Sequence, residues 1–535
     1  MSHSEFDYVV VGGGSAGCCV AGRLSENLDT SICLLEAGGS DNSVLVRAPL
    51  GFAATAPFNI NSWGFSTVPQ AGFNGRKGFQ PRGKVMGGSS SVNAMVYTRG
   101  NPNDYNSWAA LGNVGWSYQE VLPYFKKSEN NECFGANEFR GVGGPLNVSF
   151  LRSPSPLNQA FIKACNEQGI PTNPDYNGAQ QYGVSPGQVT QKGGERWNAA
   201  RAYLDPHRHQ QNLNVVSHAH ATQIVFEGKR AVGVQYTVNG VTHEVKARKE
   251  VILSGGAFGS PHLLMLSGVG PALHLQELGI PLVHELPGVG QNLQDHVTSV
   301  LIYKTQKINE AMGYSLRGTL NLIKAIFEWR SKRTGWVTSN VSETQGFVST
   351  QGNNDHPDIQ LALCTGIVDD HARKMHWGHG YTLHVTLMRP KSRGTLTLAS
   401  RNPMDKPLID PAFYKDAEDI NTMVAGTQLG LDIMNSDALK PYRGSMIYPV
   451  ERNQVDQIRS FLRDHSDTEY HPVGTCKMGP ASDPLAVVDS HLKVHGLENL
   501  RVIDASVMPH LVTGNTNAPT LMIAEKGVDF LRAAT

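Results

Sequence analysis

The N-terminal segment of the chain begins with an apolar, β-branched stretch. Residues 8–11 predict a buried strand, the glycine-rich residues 12–17 predict a turn, and residues 31–35, which are apolar after Ser31, predict a second buried strand. The residues between the turn and the second strand predict a helix. The first forty residues therefore indicate one βαβ unit of a parallel sheet.

Two later segments have the same order of strand, glycine or polar turn, and helix. Residues 251–253 precede a Ser-Gly-Gly turn and an apolar helix, and residues 500–503 precede Asp504, a glycine turn and a helix over 518–531. Between residues 298 and 400 the pattern changes to alternating strands, such as 381–387 and 395–398. The chain as a whole predicts an α+β fold in which the second domain contains a mainly antiparallel sheet.

One segment, residues 316–333, has the pattern of an amphipathic helix with basic residues on its polar side. Leu316, Leu320, Ile323 and Phe327 recur at helical spacing. Such a helix can lie on a membrane surface, or it can pack its apolar face on the protein core; we expect the second arrangement. No apolar run reaches the ~18–20 residues needed to span a bilayer.

Composition restricts the function classes. A chain of 535 residues is longer than the roughly 250–300 residues at which one core stops growing, so two domains are expected. Basic and acidic residues both number 46, which argues against nucleic acid as a partner. The seven cysteines include no C-x-x-C pair, so neither a metal site nor a disulfide framework is predicted. Free thiols and an N-terminus without a signal-peptide pattern predict a cytoplasmic protein, with contact to the periphery of the inner membrane left open.

The turn after the first strand has a spacing typical of dinucleotide binding. Gly12, Gly14 and Gly17 form G-x-G-x-x-G between a strand and a helix, where a pyrophosphate can approach the backbone N–H groups. Glu36 ends the next strand, where its carboxylate can bind both ribose hydroxyls. A carboxylate there repels a 2′-phosphate, so the motif favours FAD or NAD over NADP.

Two long motifs decide between FAD and NAD. The motifs are Gly83-Lys-Val-Met-Gly-Gly-Ser-Ser-Ser-Val-Asn93 and Gly256-Ala-Phe-Gly-Ser-Pro-His-Leu-Leu-Met-Leu-Ser-Gly-Val-Gly270. With them the chain resembles the glucose-methanol-choline family of FAD-dependent oxidoreductases over essentially its whole length. The resemblance implies a Rossmann-like FAD-binding domain formed by residues 1–150, 205–297 and 470–535, and a substrate-binding domain formed by 151–204 and 298–469. Val92 stands where some relatives carry the histidine that attaches the flavin, so the resemblance implies non-covalent FAD.

The resemblance also implies a set of FAD contacts. They are Gly12, Gly14, Ser15, Ala16, Gly17, Glu36, Ala37, Trp63, Gly87, Gly88, Asn93, Ala94, Met95, Val96, Ala221, Asp504, Ala505 and Thr516. Trp63 has a second interpretation as a packing residue, and the sequence leaves both open.

For catalysis the resemblance points to His471 in Tyr-His-Pro-Val-Gly and to Asn515 in Gly-Asn-Thr-Asn. Alcohol oxidation needs a base for the hydroxyl proton, and a histidine suits that role. An amide does not titrate, so Asn515 is expected to orient the alcohol and stabilise the alkoxide. His465, His495 and His510 are the competing histidines nearby.

The reaction implied by the resemblance is oxidation of a primary alcohol to the aldehyde by hydride transfer to the flavin. The sequence outside the two motifs, including residues 389–394, is most similar to the branch with choline, aliphatic alcohol and polyethylene glycol dehydrogenases. The resemblance therefore implies an aliphatic, polyether or choline-like alcohol. The alternatives are a lyase that keeps FAD as a structural element, an alcohol oxidase that uses O2, and a flavin-binding protein without turnover. We expect a quinone or another carrier as electron acceptor rather than O2.

Overall fold

The computed structural model describes residues 4–534, and its two large sheets each have an apolar core. The strands of these sheets are, in chain order, β1 (Glu5–Val11), β2 (Ile32–Glu36), β3 (Gly183–Pro186), β4 (Leu213–Ser217), β5 (His220–Glu227), β6 (Arg230–Val238), β7 (Val241–Leu253), β8 (Val297–Thr305), β9 (Gly313–Tyr314), β10 (Ser342–Val348), β11 (Ile359–Cys364), β12 (Gly378–Leu387), β13 (Asp467–Thr468) and β14 (Leu500–Val502).

Nine longer helices accompany these sheets in the described part of the chain. They are α1 (Ser15–Ser25), α2 (Pro102–Ala110), α3 (Tyr118–Ser128), α4 (Leu157–Glu167), α5 (Gly256–Leu266), α6 (Leu316–Lys332), α7 (Ala417–Met434), α8 (Val455–His465) and α9 (Asn517–Ala533). Apolar residues of α1, α3, α5 and α9 belong to the core of the first sheet, and those of α4, α7 and α8 belong to the core of the second.

The first sheet has the strand order β4-β2-β1-β7-β6-β5, and β14 continues the line of β6 along the edge of β7. The strands β4, β2, β1, β7 and β14 run parallel to one another, whereas β6 is antiparallel both to β7 and to β5. Parallel strands are covered on both faces, which explains the unbroken apolar runs at 8–11 and 32–35. The predicted βαβ unit is thus confirmed as β1, α1 and β2.

The second sheet has the order β13-β8-β12-β11-β10-β3, with β9 paired to β12, and its strand pairs are antiparallel. This confirms the α+β fold with a mainly antiparallel second sheet. The strand predicted at 395–398 forms over Thr395–Thr397, but it pairs with Leu408–Asp410 outside the large sheet. The predicted domain boundaries stay a prediction.

The helix α6 differs from the sequence-based expectation. We expected its apolar face to pack on the core, and this is wrong: Leu316 is 81% exposed, Phe327 is 69% exposed, and Leu320 and Ile323 are exposed too. The residues that α6 buries are instead small or aromatic, namely Gly318, Ala325 and Trp329. Within residues 4–534 no helix is long and apolar enough to cross a bilayer.

Candidate active site

A large cavity of about 1170 Å³ lies between the two sheets. The first-sheet end is lined by the turn after β1, and the catalytic candidates His471 and Asn515 also line the cavity. Every predicted FAD contact lines it except Gly17 and Gly87. Residues predicted separately along the sequence therefore meet in one space.

Gly17 and Gly87 serve the backbone rather than the cavity surface. A Cβ atom on Gly17 would lie 1.8 Å from the carbonyl oxygen of Gly12, so only glycine lets α1 leave the turn this closely. Gly87 has a φ of +85°, and a Cβ there would lie 2.4 Å from Oγ of Ser91. Both glycines shape the loops that line the cavity without lining it themselves.

The N-terminus of α1 is open to an anion. Gly14 caps this helix without a side-chain hydrogen bond, and its first turn contains no acidic residue. A Cβ on Gly14 would meet only the carbonyl oxygen of Ser254, 3.9 Å away, so there is free space beside the backbone. The unpaired N–H groups and the helix dipole at such an end favour a phosphate group.

Glu36 lies at the end of β2, with its carboxylate in the same part of the cavity. Its two oxygens accept hydrogen bonds from the backbone N–H groups of Gly13 (2.8 Å) and Gly38 (2.7 Å). Burial raises the pKa of Glu36 to about 7, against these hydrogen bonds. Each carboxylate oxygen can accept a further bond, which leaves capacity for two ribose hydroxyls.

Trp63 both packs and lines the cavity, so the structure is compatible with both interpretations of this residue. Its ring stacks on Phe65 with centroids 5.8 Å apart, and the Lys84 ammonium lies 4.5 Å from the ring centroid.

The side-chain amide of Asn93 is hydrogen-bonded through its oxygen. This oxygen accepts from the backbone N–H of Met95 (3.0 Å) and from Arg196 (2.8 Å). A ligand beside Asn93 would therefore meet an amide NH2 donor.

The carboxylate of Asp504 is hydrogen-bonded within the protein, and the residue also lines the cavity, so its contact with FAD stays a prediction. One carboxylate oxygen accepts from the backbone N–H of Gly256 (2.8 Å) and the hydroxyl of Ser260 (2.6 Å), and the other accepts from the N–H and hydroxyl of Ser506. A carboxylate bound in this way fixes the start of α5 next to the end of β14. A carboxylate would repel a pyrophosphate, so the backbone of this segment is the better partner for a phosphate, and the side chain suits a hydroxyl group.

A chain of hydrogen bonds runs through the catalytic candidates. Asn515 Nδ2 lies 3.0 Å from Nε2 of His471, and Nδ1 of His471 lies 3.0 Å from Nδ1 of His296. Nε2 of His296 lies 3.2 Å from the carbonyl oxygen of Met388. The backbone N–H of His471 donates to the buried carboxylate of Asp295 at 2.8 Å, which fixes the histidine in place.

These hydrogen bonds fix the proton positions on both histidine rings when the rings are neutral. The Met388 carbonyl can only accept, so His296 carries its proton on Nε2 and leaves Nδ1 as an acceptor. His471 must then donate from Nδ1, which leaves a lone pair on its Nε2, beside Asn515. The geometry thus presents a base and an amide donor side by side at the cavity wall.

The charge state of both histidines follows from burial. Burial, with smaller contributions from His296 and Arg82, lowers the pKa of His471 well below its usual value of about 6.5. Burial also lowers the pKa of His296 to about 4. Both rings are therefore neutral at pH 7, as the proton assignment requires. The competing histidines His465, His495 and His510 do not line the cavity.

Sequence reasoning missed the residues that hold this pair. His296 directly precedes β8, and Gln360 on β11 donates to Oδ1 of Asn515 (3.4 Å) and to Oε1 of Gln345 on β10 (2.8 Å). No sequence pattern marks these positions, because each becomes significant only when the second sheet is placed against the segment that carries His471.

Comparisons with known proteins agree with the motifs. Two GMC oxidoreductase family models match residues 6–298 and 390–524. The chain is 46% identical to an alcohol dehydrogenase [acceptor] of Pseudomonas putida, covering 98% of this chain and 95% of that protein. It is 44% identical to the mitochondrial choline dehydrogenase of Homo sapiens, covering 99% and 90%.

Solved structures show the same fold. Pyridoxine 4-oxidase from Mesorbium loti superposes with a TM-score of 0.89 at 30% identity, covering 99% of both chains. A formate oxidase superposes with a TM-score of 0.91 at 26% identity, covering 100% of this chain and 99% of the other. From sequence and fold together, the chain belongs to the GMC oxidoreductase family, the glucose-methanol-choline flavoproteins that its motifs indicated.

Proposed function

We propose that this protein oxidises an uncharged primary alcohol to the aldehyde, with non-covalently bound FAD. The observation that carries the proposal is the bare Nε2 of His471 beside the amide of Asn515, in one cavity with a dinucleotide-binding turn. FAD, when bound, supplies the acceptor for the hydride.

The residues of the first sheet fit FAD. The open helix end at Gly14 suits its pyrophosphate, the carboxylate of Glu36 suits its ribose, and Asn93 offers a donor farther along the cavity. Val92 lines the cavity and carries no nucleophilic atom, which supports non-covalent binding. We assign FAD binding to residues 1–150, 205–297 and 470–535, and substrate binding to 151–204 and 298–469.

In this proposal His471 accepts the hydroxyl proton of the alcohol. An alcohol oxygen placed between the pair would accept from Asn515 Nδ2 and donate its proton to His471 Nε2. The alkoxide that results releases hydride more readily than the neutral alcohol, and the amide NH2 stabilises its charge. His296 keeps the other proton of the ring on Nδ1 and so keeps Nε2 available.

An uncharged substrate suits the cavity better than a cation such as choline. Apolar side chains such as Leu45, Phe52, Leu322, Ile326 and Met375 line its outer part. The carboxylate nearest His471 in sequence, Glu469, is already paired with the ring of His384 at 3.3 Å, so it is engaged within the protein rather than free to bind a cation. This favours an aliphatic or polyether alcohol, in line with the alcohol dehydrogenase relative.

The electron acceptor is proposed to be a membrane quinone rather than O2, reached by docking of the cytoplasmic protein on the inner membrane. Phe58 (75% exposed) and Trp377 (71% exposed) are further exposed apolar side chains. Phe58 lines the same cavity as residues of α6, and Trp377 pairs with Tyr314, two residues before α6 begins. Basic side chains on α6, among them Lys324 and Arg330, would face anionic headgroups.

Anaerobic mixing with a panel of alcohols, monitored by flavin absorbance, tests the reaction. Aliphatic primary alcohols should bleach the flavin faster than choline. A lyase would leave the flavin oxidised with every alcohol, and would contradict the proposal. Acid precipitation tests the cofactor: yellow colour that stays in the washed pellet would contradict non-covalent binding.

The acceptor is tested by re-oxidising the reduced enzyme. A soluble quinone should re-oxidise it faster than air-saturated buffer, whereas an alcohol oxidase would show the opposite order. Flotation with vesicles that contain anionic lipid tests the docking. Leu320→Ser combined with Phe327→Ser should reduce flotation. Val114→Ser combined with Leu273→Ser, at two exposed apolar residues outside α6, serves as the control.

A further inference from the structure

A second group of reactive side chains lies in the wall of the same cavity. Cys364 is at the end of β11, and His384 lies on the neighbouring strand β12. In the sheet register Ala362 is opposite His384, so Cys364 lies two residues along on the same face, within reach of the ring. Cys364, His384 and Glu469 all line the cavity.

The three side chains form an ordered group. Nδ1 of His384 lies 3.3 Å from Oε2 of Glu469, and Cys364 is close enough to the ring to influence its pKa. His384 is only 8% exposed, and its Nε2 has no hydrogen-bond partner among residues 4–534, so this nitrogen is available to a group that enters from the cavity. Burial alone would lower the pKa of His384, but Cys364 and Glu469 raise it well above its usual value. A histidine with these neighbours is a base for the thiol.

The other cysteines have different surroundings. Burial raises the pKa of each of the other six thiols: Cys18, Cys19, Cys33, Cys133, Cys165 and Cys476. None of the six lines the cavity. Cysteine reactivity requires thiolate, and thiolate is favoured beside a protonated histidine. Cys364 therefore combines a base, a residue that orients the base, and access from the cavity.

We infer that Cys364, with His384 and Glu469, is a nucleophilic thiol site that binds aldehydes reversibly in the cavity wall. The inference rests on the proposed function in one respect, namely that an aldehyde is formed in this cavity. Cys364 and Gln360 lie on the same face of β11, and Gln360 contacts Asn515. The strand therefore leads from the catalytic pair to the thiol.

The step requires no redox partner. His384 takes the thiol proton, the sulfur forms a bond to the carbonyl carbon, and the C=O π bond breaks to give an oxyanion. The protonated His384 then returns the proton to that oxygen. The product is a hemithioacetal, which occupies the cavity until the reverse reaction releases the aldehyde. Accumulated aldehyde would therefore limit access of new alcohol.

Alkylation of the holoenzyme with iodoacetamide tests the site, with each cysteine followed by peptide mass spectrometry. Cys364 should be labelled about tenfold or more faster than Cys133, the partly exposed control, because burial raises the pKa of Cys133 to about 12. His384→Gln should slow labelling of Cys364 and leave that of Cys133 unchanged. Equal rates at the two cysteines, or no effect of His384→Gln, would overturn the proposal.

Butanal supplies the aldehyde test on the same protein. It should protect Cys364 but not Cys133 from iodoacetamide, and dilution of the butanal should restore labelling. Cys364→Ser should show no labelling in this peptide. Absence of protection at Cys364 would also overturn the proposal. These measurements need no turnover, whereas alcohol oxidation is tested by flavin reduction. The two proposals can therefore fail independently.

Discussion

The two ends of the cavity are built in different ways. At the first-sheet end, Gly12, Gly14 and Glu36 come from a single βαβ unit within 25 residues of sequence. At the catalytic end, His296, His471 and Asn515 come from three separate segments and meet only in the folded protein. The first end offers mainly backbone N–H groups, and the second offers side chains whose proton positions depend on one another.

This difference separates binding from chemistry. A change at the first end should alter how tightly FAD is held, because those groups contact the part of a dinucleotide that does not react. A change at the catalytic end should alter the rate of flavin reduction and leave FAD in place. If the two ends are independent, a substitution at one end should leave the property that belongs to the other end unchanged.

The largest effect is expected at His471. His471→Ala removes the base, and flavin reduction by an alcohol should fall by about 10²- to 10⁴-fold while FAD stays bound. Stopped-flow absorbance measures the rate, and the flavin-to-protein ratio measures retention. Asn515→Ala should lose less, because it removes one donor to the oxygen and leaves the base. His495→Ala is the matched control outside the cavity; a wild-type rate in His471→Ala would refute both the site and the mechanism.

Glu36→Ala should affect the other end alone. Loss of charged hydrogen bonds to the ribose should weaken FAD binding about 10- to 100-fold. The same change removes the acceptor for Gly13 and Gly38, so Glu36→Gln, which keeps one acceptor oxygen, should retain more FAD. Flavin release on dilution measures the effect. A full complement of FAD in purified Glu36→Ala would show that the ribose assignment is wrong.

The pH profile of the wild-type protein tests the charge state of the base. Neutral His471 is the active form, so flavin reduction should be lost as pH falls through the pKa of the free enzyme. Because burial lowers that pKa well below about 6.5, the rate should stay flat through pH 6.5 and fall about tenfold per unit only below the shifted value. A decline centred near pH 6.5 would indicate a solvated histidine instead.

The sequence predicted the two ends unequally. Continuous apolar runs and a glycine turn identified β1, α1 and β2, since these are local patterns, and the family resemblance identified His471 and Asn515. Nothing local marks Gln360 or His296, whose roles depend on how the second sheet packs. For α6 the sequence predicted the helix correctly but its burial wrongly. Apolar residues at helical spacing show which side of a helix is apolar, but not whether another part of the protein covers that side.

The smallest effect, and the one that most directly tests coupling within the catalytic end, is expected at His296. His296 would not contact an alcohol placed between His471 and Asn515. It acts by accepting the hydrogen bond that His471 donates from Nδ1. His296→Ala leaves that buried donor unpaired and lets the proton move to Nε2, so flavin reduction should fall about five- to tenfold with FAD retained.

His296→Gln keeps an acceptor oxygen and removes a ring that can take a second charge. It should therefore restore most of the rate, which a purely structural role would not predict. Because His296 is one of the groups that lower the pKa of His471, the acid limb of the pH profile should also move to higher pH in this variant. The two readouts are independent of substrate affinity. The proposal would be refuted if His296→Ala reduced its flavin at the wild-type rate and the acid limb of His296→Gln were unchanged. Nε2 of His471 would then stay unprotonated without the hydrogen bond to His296.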